Sequence, residues 1–166
     1  MKGNLGVLGG VIVITSCEKS NIYQAFIRFL LVMSTESELL IKEYAKNPIN
    51  NFKMKDATVT QHEGNFICWD DIVVYLKIED NKVKEYSFDG NCSAITTASA
   101  SYLAELIVGQ DIVDILSWNY QTMLDNGFEV STRRKRAAVI AILATRNAIH
   151  THLKDNKTDT FDDLID

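Results

Sequence analysis

Three side chains carry the chemistry that this sequence suggests: Cys68, Asp70 and Cys92. Cys68 and Asp70 are two apart at the head of a run that reads as a strand. Alternation along an extended chain sends both side chains to one side. A thiolate and a carboxylate so placed can share one metal ion. Cys92 follows the next strand-like run. Hairpin geometry brings the end of that strand back beside the start of its neighbour, and so brings Cys92 toward Cys68. Cys92 also precedes a helical pattern, where free N–H groups and the helix dipole favour a thiolate. The plainer alternative is an edge cysteine beside a solvated aspartate, with Cys17 and the other cysteines as small buried side chains. His62 precedes the trio and is an outside candidate ligand. His150 and His152 lie far beyond it in sequence.

The elements that must position these groups follow from periodicity. Thr35-Glu36-Ser37-Glu38 reads as a capping box opening a helix on which Leu40 and Tyr44 share a face. Asn47-Pro48 stops that helix, because proline disfavours helical backbone in its predecessor. Residues 57–61 are rich in β-branched side chains and predict a strand. Ile72, Val74, Leu76 and Ile78 then alternate with Val73, Tyr75 and Lys77, a period of two. Asp80-Asn81 predicts a turn, residues 83–88 the returning strand, and Asp89-Gly90-Asn91 its break. From Ser93 the period changes, with Ile95, Ala98, Tyr102 and Leu106 on one helical face. Residues 111–124 read as one or two short helices, closed by Asn126-Gly127. Residues 137–144 are apolar on nearly every side, so this helix must be central and buried, running on to His152. The acidic tail, 154–166, is expected to fray. Strands first and helices afterwards predict an α+β domain: a small three-stranded antiparallel sheet with helices packed on one side.

A chain of 166 residues with 46% hydrophobic side chains suffices for one domain with a real core. A net charge of −5 argues against a nucleic-acid binder, since the one basic run, Arg133-Arg134-Lys135-Arg136, is short and local. Three widely spaced cysteines make a poor disulfide framework and suit a reducing compartment. Residues 1–32 form an apolar, glycine-rich leader with three readings. Ile14-Thr15-Ser16-Cys17 has the form of a lipoprotein cleavage box, Met33 is a natural alternative start, and 21–32 has helical spacing.

Asn47-Pro48, Cys68-Trp69-Asp70, the run from Phe88 through Cys92 to Ile95, and the Ala98-to-Ser101 helix resemble the IscU/NifU/SufU iron–sulfur cluster assembly scaffold family, in order and spacing, over roughly residues 35–152. The family shows C-G-D at the head of a strand, a G-C loop feeding an Ala/Ser-rich helix, and a third cysteine before its last long helix. The resemblance implies a domain over 33–153 in which Cys68, Asp70 and Cys92 hold zinc or a transient [2Fe–2S] cluster. Sulfur would come from a cysteine desulfurase and pass to Cys68 or Cys92, with cluster-acceptor apoproteins as further partners. A cytoplasmic location is implied, with no membrane attachment unless the leader is a true lipoprotein signal. A relative that keeps the fold and partner surface without holding a cluster is the other reading.

Three departures bear on those expectations. Arg136 stands where the third cysteine belongs, and a guanidinium cannot ligate a metal. Trp69 replaces the glycine of C-G-D and is expected to crowd the loop. Cys92 falls one residue early, so that an ungapped match puts Ser93 at the family position. Three inherited ligands remain where a zinc or cluster site wants four. His150 and His152 cannot fill the place, lying about fourteen residues or roughly 21 Å along a helix from Arg136. Arg136 beside the cysteines is expected to favour their thiolates.

Overall fold

The computed structural model describes residues 36–67 and 69–165. The leader, Cys17, Thr35 of the expected capping box, and Cys68 lie outside the described residues. A first helix, α1, covers 36–46 and ends ahead of Asn47-Pro48, as expected. Leu40 and Tyr44 pack on the core, and the Tyr44 hydroxyl donates to Glu105 at 2.6 Å.

Strands β1 (Val59–Asn65), β2 (Asp70–Glu79) and β3 (Lys82–Asn91) make one antiparallel sheet in the order β1-β2-β3. The β2–β3 hairpin is tight: Glu79 pairs with Lys82, and Asp80 and Asn81 both take positive φ, 51° and 58°. That is the backbone of a two-residue turn whose twist matches the strands, and Asp and Asn tolerate it. Ile72, Val74, Leu76 and Ile78 face the core, as their alternation requires. The strand β3 runs on to Asn91 instead of breaking at Asp89. Gly90 makes this possible: it sits at φ 139°, and a Cβ there would lie 2.1 Å from the Asp71 carbonyl oxygen.

Helix α2 (Ala94–Ile107) lies against β3, and α5 (Lys135–Leu153) lies against β1, β2 and α2. The helices therefore share one side of the sheet. Short helices α3 (Ile112–Ile115) and α4 (Tyr120–Asp125) connect them. The deepest face of α2 is Thr96, Ala100, Leu103 and Ile107; Ile95 and Tyr102 of the expected face sit at its margin. The small residues that let α2 approach α5 decide this, rather than the large ones. Every residue of 137–145 in α5 is buried, as its apolar run predicts. On the sheet's other face the α1–β1 segment crosses from one edge to the other. Asn51 bridges to Phe88, Lys77 pairs with Asp56 at 3.1 Å, and the Thr58 N–H donates to the Leu76 carbonyl. Among the described residues no helix is long and apolar enough to cross a membrane.

The tail does not fray. Lys154, at φ 55°, ends α5 in a left-handed residue, and the chain folds back along the helix. Asp159 Oδ2 accepts from Arg146 Nε at 2.6 Å, and the Asp159 N–H donates to Asn147 Oδ1 at 2.7 Å. His150 places Nδ1 2.8 Å from Asp155 and Nε2 3.3 Å from Asp159. Burial works against the Asp155 carboxylate, but the hydrogen bonds from His150 and from the Lys157 N–H prevail and lower its pKa. Leu164 is buried, and its carbonyl accepts from the Tyr120 N–H. Acidic residues thus neutralise buried polar groups of α5 that the apolar pattern hid. Replacing Asp159 by alanine strands the Arg146 guanidinium, only 12% exposed, without its carboxylate. We expect a loss of about 3 kcal/mol in urea unfolding, against a negligible change for exposed Lys157→Ala.

Candidate functional site

Asp70 opens β2, on the helix-facing side of the strand, and is 3% exposed. It is placed by the same alternation that buries Ile72 and Val74. Its Oδ1 accepts from the Ser93 backbone N–H at 2.5 Å. Ser93 is the N-cap of α2, its hydroxyl accepting from the Thr96 N–H at 3.4 Å. Thr96 and Ser99 donate from α2 to the Ala137 carbonyl in the first turn of α5. One carboxylate therefore ties the head of the central strand to the start of α2, and two hydroxyls tie that start to the beginning of α5. Asp70 Oδ2, by contrast, is buried with no hydrogen-bond partner.

Cys92 lies between the end of β3 and the Ser93 cap. The ladder pairs Asp71 with Asn91, so the next position along β3 draws level with Asp70. Across the sheet, Asn65 pairs with Asp70 on β1. Asn65, Asp70 and Cys92 thus form one transverse row at the end of the sheet. Asn65 was not singled out by sequence; only its position at the end of a strand, before an apolar loop, could have signalled it.

The thiol of Cys92 is half-buried, with Sγ 3.6 Å from the Asp71 carbonyl oxygen. Its pKa is pushed up to about 12, first by burial and then by the carboxylates of Asp70, Asp71 and Asp89. In the metal-free protein this works against the expected thiolate. The α2 terminus is engaged by Asp70, and Arg136 does not compensate. The Arg136 guanidinium lies 5.1 Å from the Phe161 ring centroid and 3.6 Å from Asp162, held by the tail. Lys135 lies over the Tyr120 ring at 4.8 Å. The aromatic faces of Tyr120 and Phe161 offset part of the cost of cations placed against the helix dipole.

Among the described residues Trp69 is 79% exposed, so its side chain does not crowd them. The cost falls on the backbone: Trp69 has φ 57°, the left-handed region in which a glycine sits freely and a bulky residue does not. Asp70 is the first residue of β2, and Trp69 just before it is not extended. Cys68 itself lies outside the described residues. Phe66 and Ile67, on the same loop, are also exposed. His62 Nε2 pairs with Asp71 Oδ1 at 2.9 Å on the opposite face of the sheet from Asp70, and His150 is committed to the tail. Neither joins the site.

A thiol and a carboxylate with a free lone pair are a fitting start to a zinc or iron site, and the surrounding carboxylates favour a cation over an anion. Among the described residues no three His, Cys, Asp or Glu side chains form a complete cluster. Asp70 and Cys92 would supply two of the ligands. In metal-free protein, alkylation of Cys92 by iodoacetamide, followed by peptide mass mapping, should climb roughly tenfold per pH unit with no plateau below about pH 11. A plateau near the ordinary thiol value of 9.0 would contradict the burial described.

The NifU-like N terminal domain family matches residues 36–159. The iron–sulfur cluster assembly scaffold protein IscU of Thermotoga maritima is 40% identical over 77 residues, 46% of this chain and 54% of that protein. The zinc-dependent sulfurtransferase SufU of Bacillus subtilis is 33% identical over 78 residues, 47% of this chain and 52% of that protein. The match thus spans about half the length of each of these relatives. Among solved structures, a putative cluster assembly scaffold protein for the SUF system from Fervidobacterium islandicum superposes with TM-score 0.59 at 20% identity, over 66% of this chain and 93% of that one. The N-terminal part of a NifU-like protein from Brucella abortus superposes with TM-score 0.57 at 19% identity, over 71% and 94%. With the α+β fold of those structures and a family match over most of its length, the chain belongs to the NifU-like N-terminal domain family.

Proposed function

We propose that this protein works in iron–sulfur cluster assembly, as a scaffold or sulfur acceptor served by a cysteine desulfurase in the cytoplasm. The observation that carries the reading is the buried, half-unpartnered carboxylate of Asp70 level with the Cys92 thiol. Asp70 and Cys92, with Cys68 from the sequence pattern, would hold zinc or a [2Fe–2S] cluster. A bound cation would supply the positive charge that three carboxylates around Cys92 call for and would favour its thiolate. Without it, the thiol stays protonated at neutral pH and is a poor nucleophile. Ser93 and the α2 terminus hold Asp70 in place, so that one oxygen remains available.

A second reading has its own support. Arg136 occupies the place of the family's third cysteine, and its side chain is engaged by Phe161 and Asp162. A site short of a ligand suits a family member that binds the assembly machinery without retaining a cluster. Incubation with a cysteine desulfurase and 35S-cysteine, with and without zinc, separates the two. Under the first reading, zinc-loaded protein acquires label that is stable without reductant and released by dithiothreitol. Cys92→Ser and Asp70→Ala would each reduce that label at least about tenfold. Co-purification with the desulfurase, no retained metal and no label would establish the second reading instead.

A further inference from the structure

The segment after α5 is held by many contacts and turned by few residues. Asp155 and Asp159 meet His150, and Asp159 also meets Arg146 and Asn147. Phe161 lies against Arg136, and Leu164 is buried with its carbonyl on the Tyr120 N–H. All of these partners lie on α4 and α5. The reversal that brings the segment back rests on two residues in the left-handed region, Lys154 at φ 55° and Asn156 at φ 58°. Glycine takes this conformation freely, asparagine at some cost and lysine at more. Residues 154–166 contain no glycine and no proline, so nothing in their sequence forbids α5 from running straight on through the reversal.

Straightening the reversal would carry residues 155–165 away from their own chain. Their place cannot be left empty at low cost. Asn147 and His150 are buried polar groups, the Arg146 guanidinium is nearly so, and the Tyr120 N–H would lose its acceptor. What restores every one of these contacts at once is the same segment from a second copy.

We propose that two copies of this chain associate by exchanging residues 155–165, each laying its segment on α4 and α5 of the other, with Lys154 and Asn156 as the hinge. Exchange keeps the docked contacts the same in kind and number. It relaxes left-handed backbone at two residues of each chain. It also brings the two α5 ends together, where Leu153, 41% exposed, has an apolar side chain to cover. Against these gains stands the entropy of association, so the exchanged pair grows with concentration.

Paired charge reversals test the exchange directly. Arg146→Glu and Asp159→Arg each set like charges against one another within a single chain. In an exchanged pair of the two variants, Asp159 meets Arg146 on one side and the two introduced charges meet on the other. Sedimentation should show each variant alone as a monomer and their equimolar mixture as a one-to-one dimer. A folded mixture that stays monomeric overturns the proposal. Should either variant fail to fold alone, the wild type and the Lys154→Gly/Asn156→Gly double variant decide. Wild type equilibrated at concentrations from micromolar to millimolar should pass from monomer to dimer. Glycine at both hinge positions eases the closed monomer and should raise the dimer dissociation constant at least about tenfold. Wild type that is monomeric throughout, or a dimer whose dissociation constant the glycines leave unchanged, overturns the proposal.

Discussion

The contact on which the rest of the site depends is the one between the Asp70 carboxylate and the backbone N–H of Ser93. It joins the first residue of the central strand to the residue that caps α2. From there Thr96 and Ser99 reach the first turn of α5 through the Ala137 carbonyl. Sheet, second helix and last helix are thus fixed to one another at one end of the molecule by side chains only two or three bonds long. Short side chains have little rotamer freedom to lose, and they hold their partners at well-defined distances. The same carboxylate keeps its second oxygen free. A single buried group therefore builds the end of the sheet and still has one oxygen unpartnered.

Cationic side chains at the start of α5 are placed against the helix dipole, and the fold resolves this from two directions. Tyr120, from α4, lies under Lys135, and Phe161, from the returning tail, lies under Arg136. The tail can reach that point only because Asp159 meets Arg146 and Asn147 on the way. The acidic residues after α5 are structural on this account, and the tail engages Arg136 through Phe161 and Asp162.

Strands and helices were legible where one side chain type sets the pattern. The alternation from Ile72 to Ile78, the Asp80-Asn81 turn and the apolar run of α5 each appear where expected. The family's order of motifs identified the fold. The failures were of a different kind. The tail looked frayed because charged residues are read as solvent-facing, and nothing local reveals that Arg146, Asn147 and His150 on α5 await them. Cys92 looked poised for ionisation because a helix start is visible in sequence, whereas the three carboxylates that gather around it come from β2 and β3. The place of Asn65 was invisible for the same reason: it lies opposite Asp70 through a cross-strand register, which periodicity alone does not supply.

At Gly90 the Asp71 carbonyl fills the space that any side chain would need. Positions 69 and 136 differ: Trp69 extends into water, and Arg136 leans on the tail. The room for a side chain is therefore unequal along this end of the sheet: it is open where atoms project away from it and closed where two backbones touch. The backbone frame at this end of the sheet can in this way hold its shape while the side chains around it change.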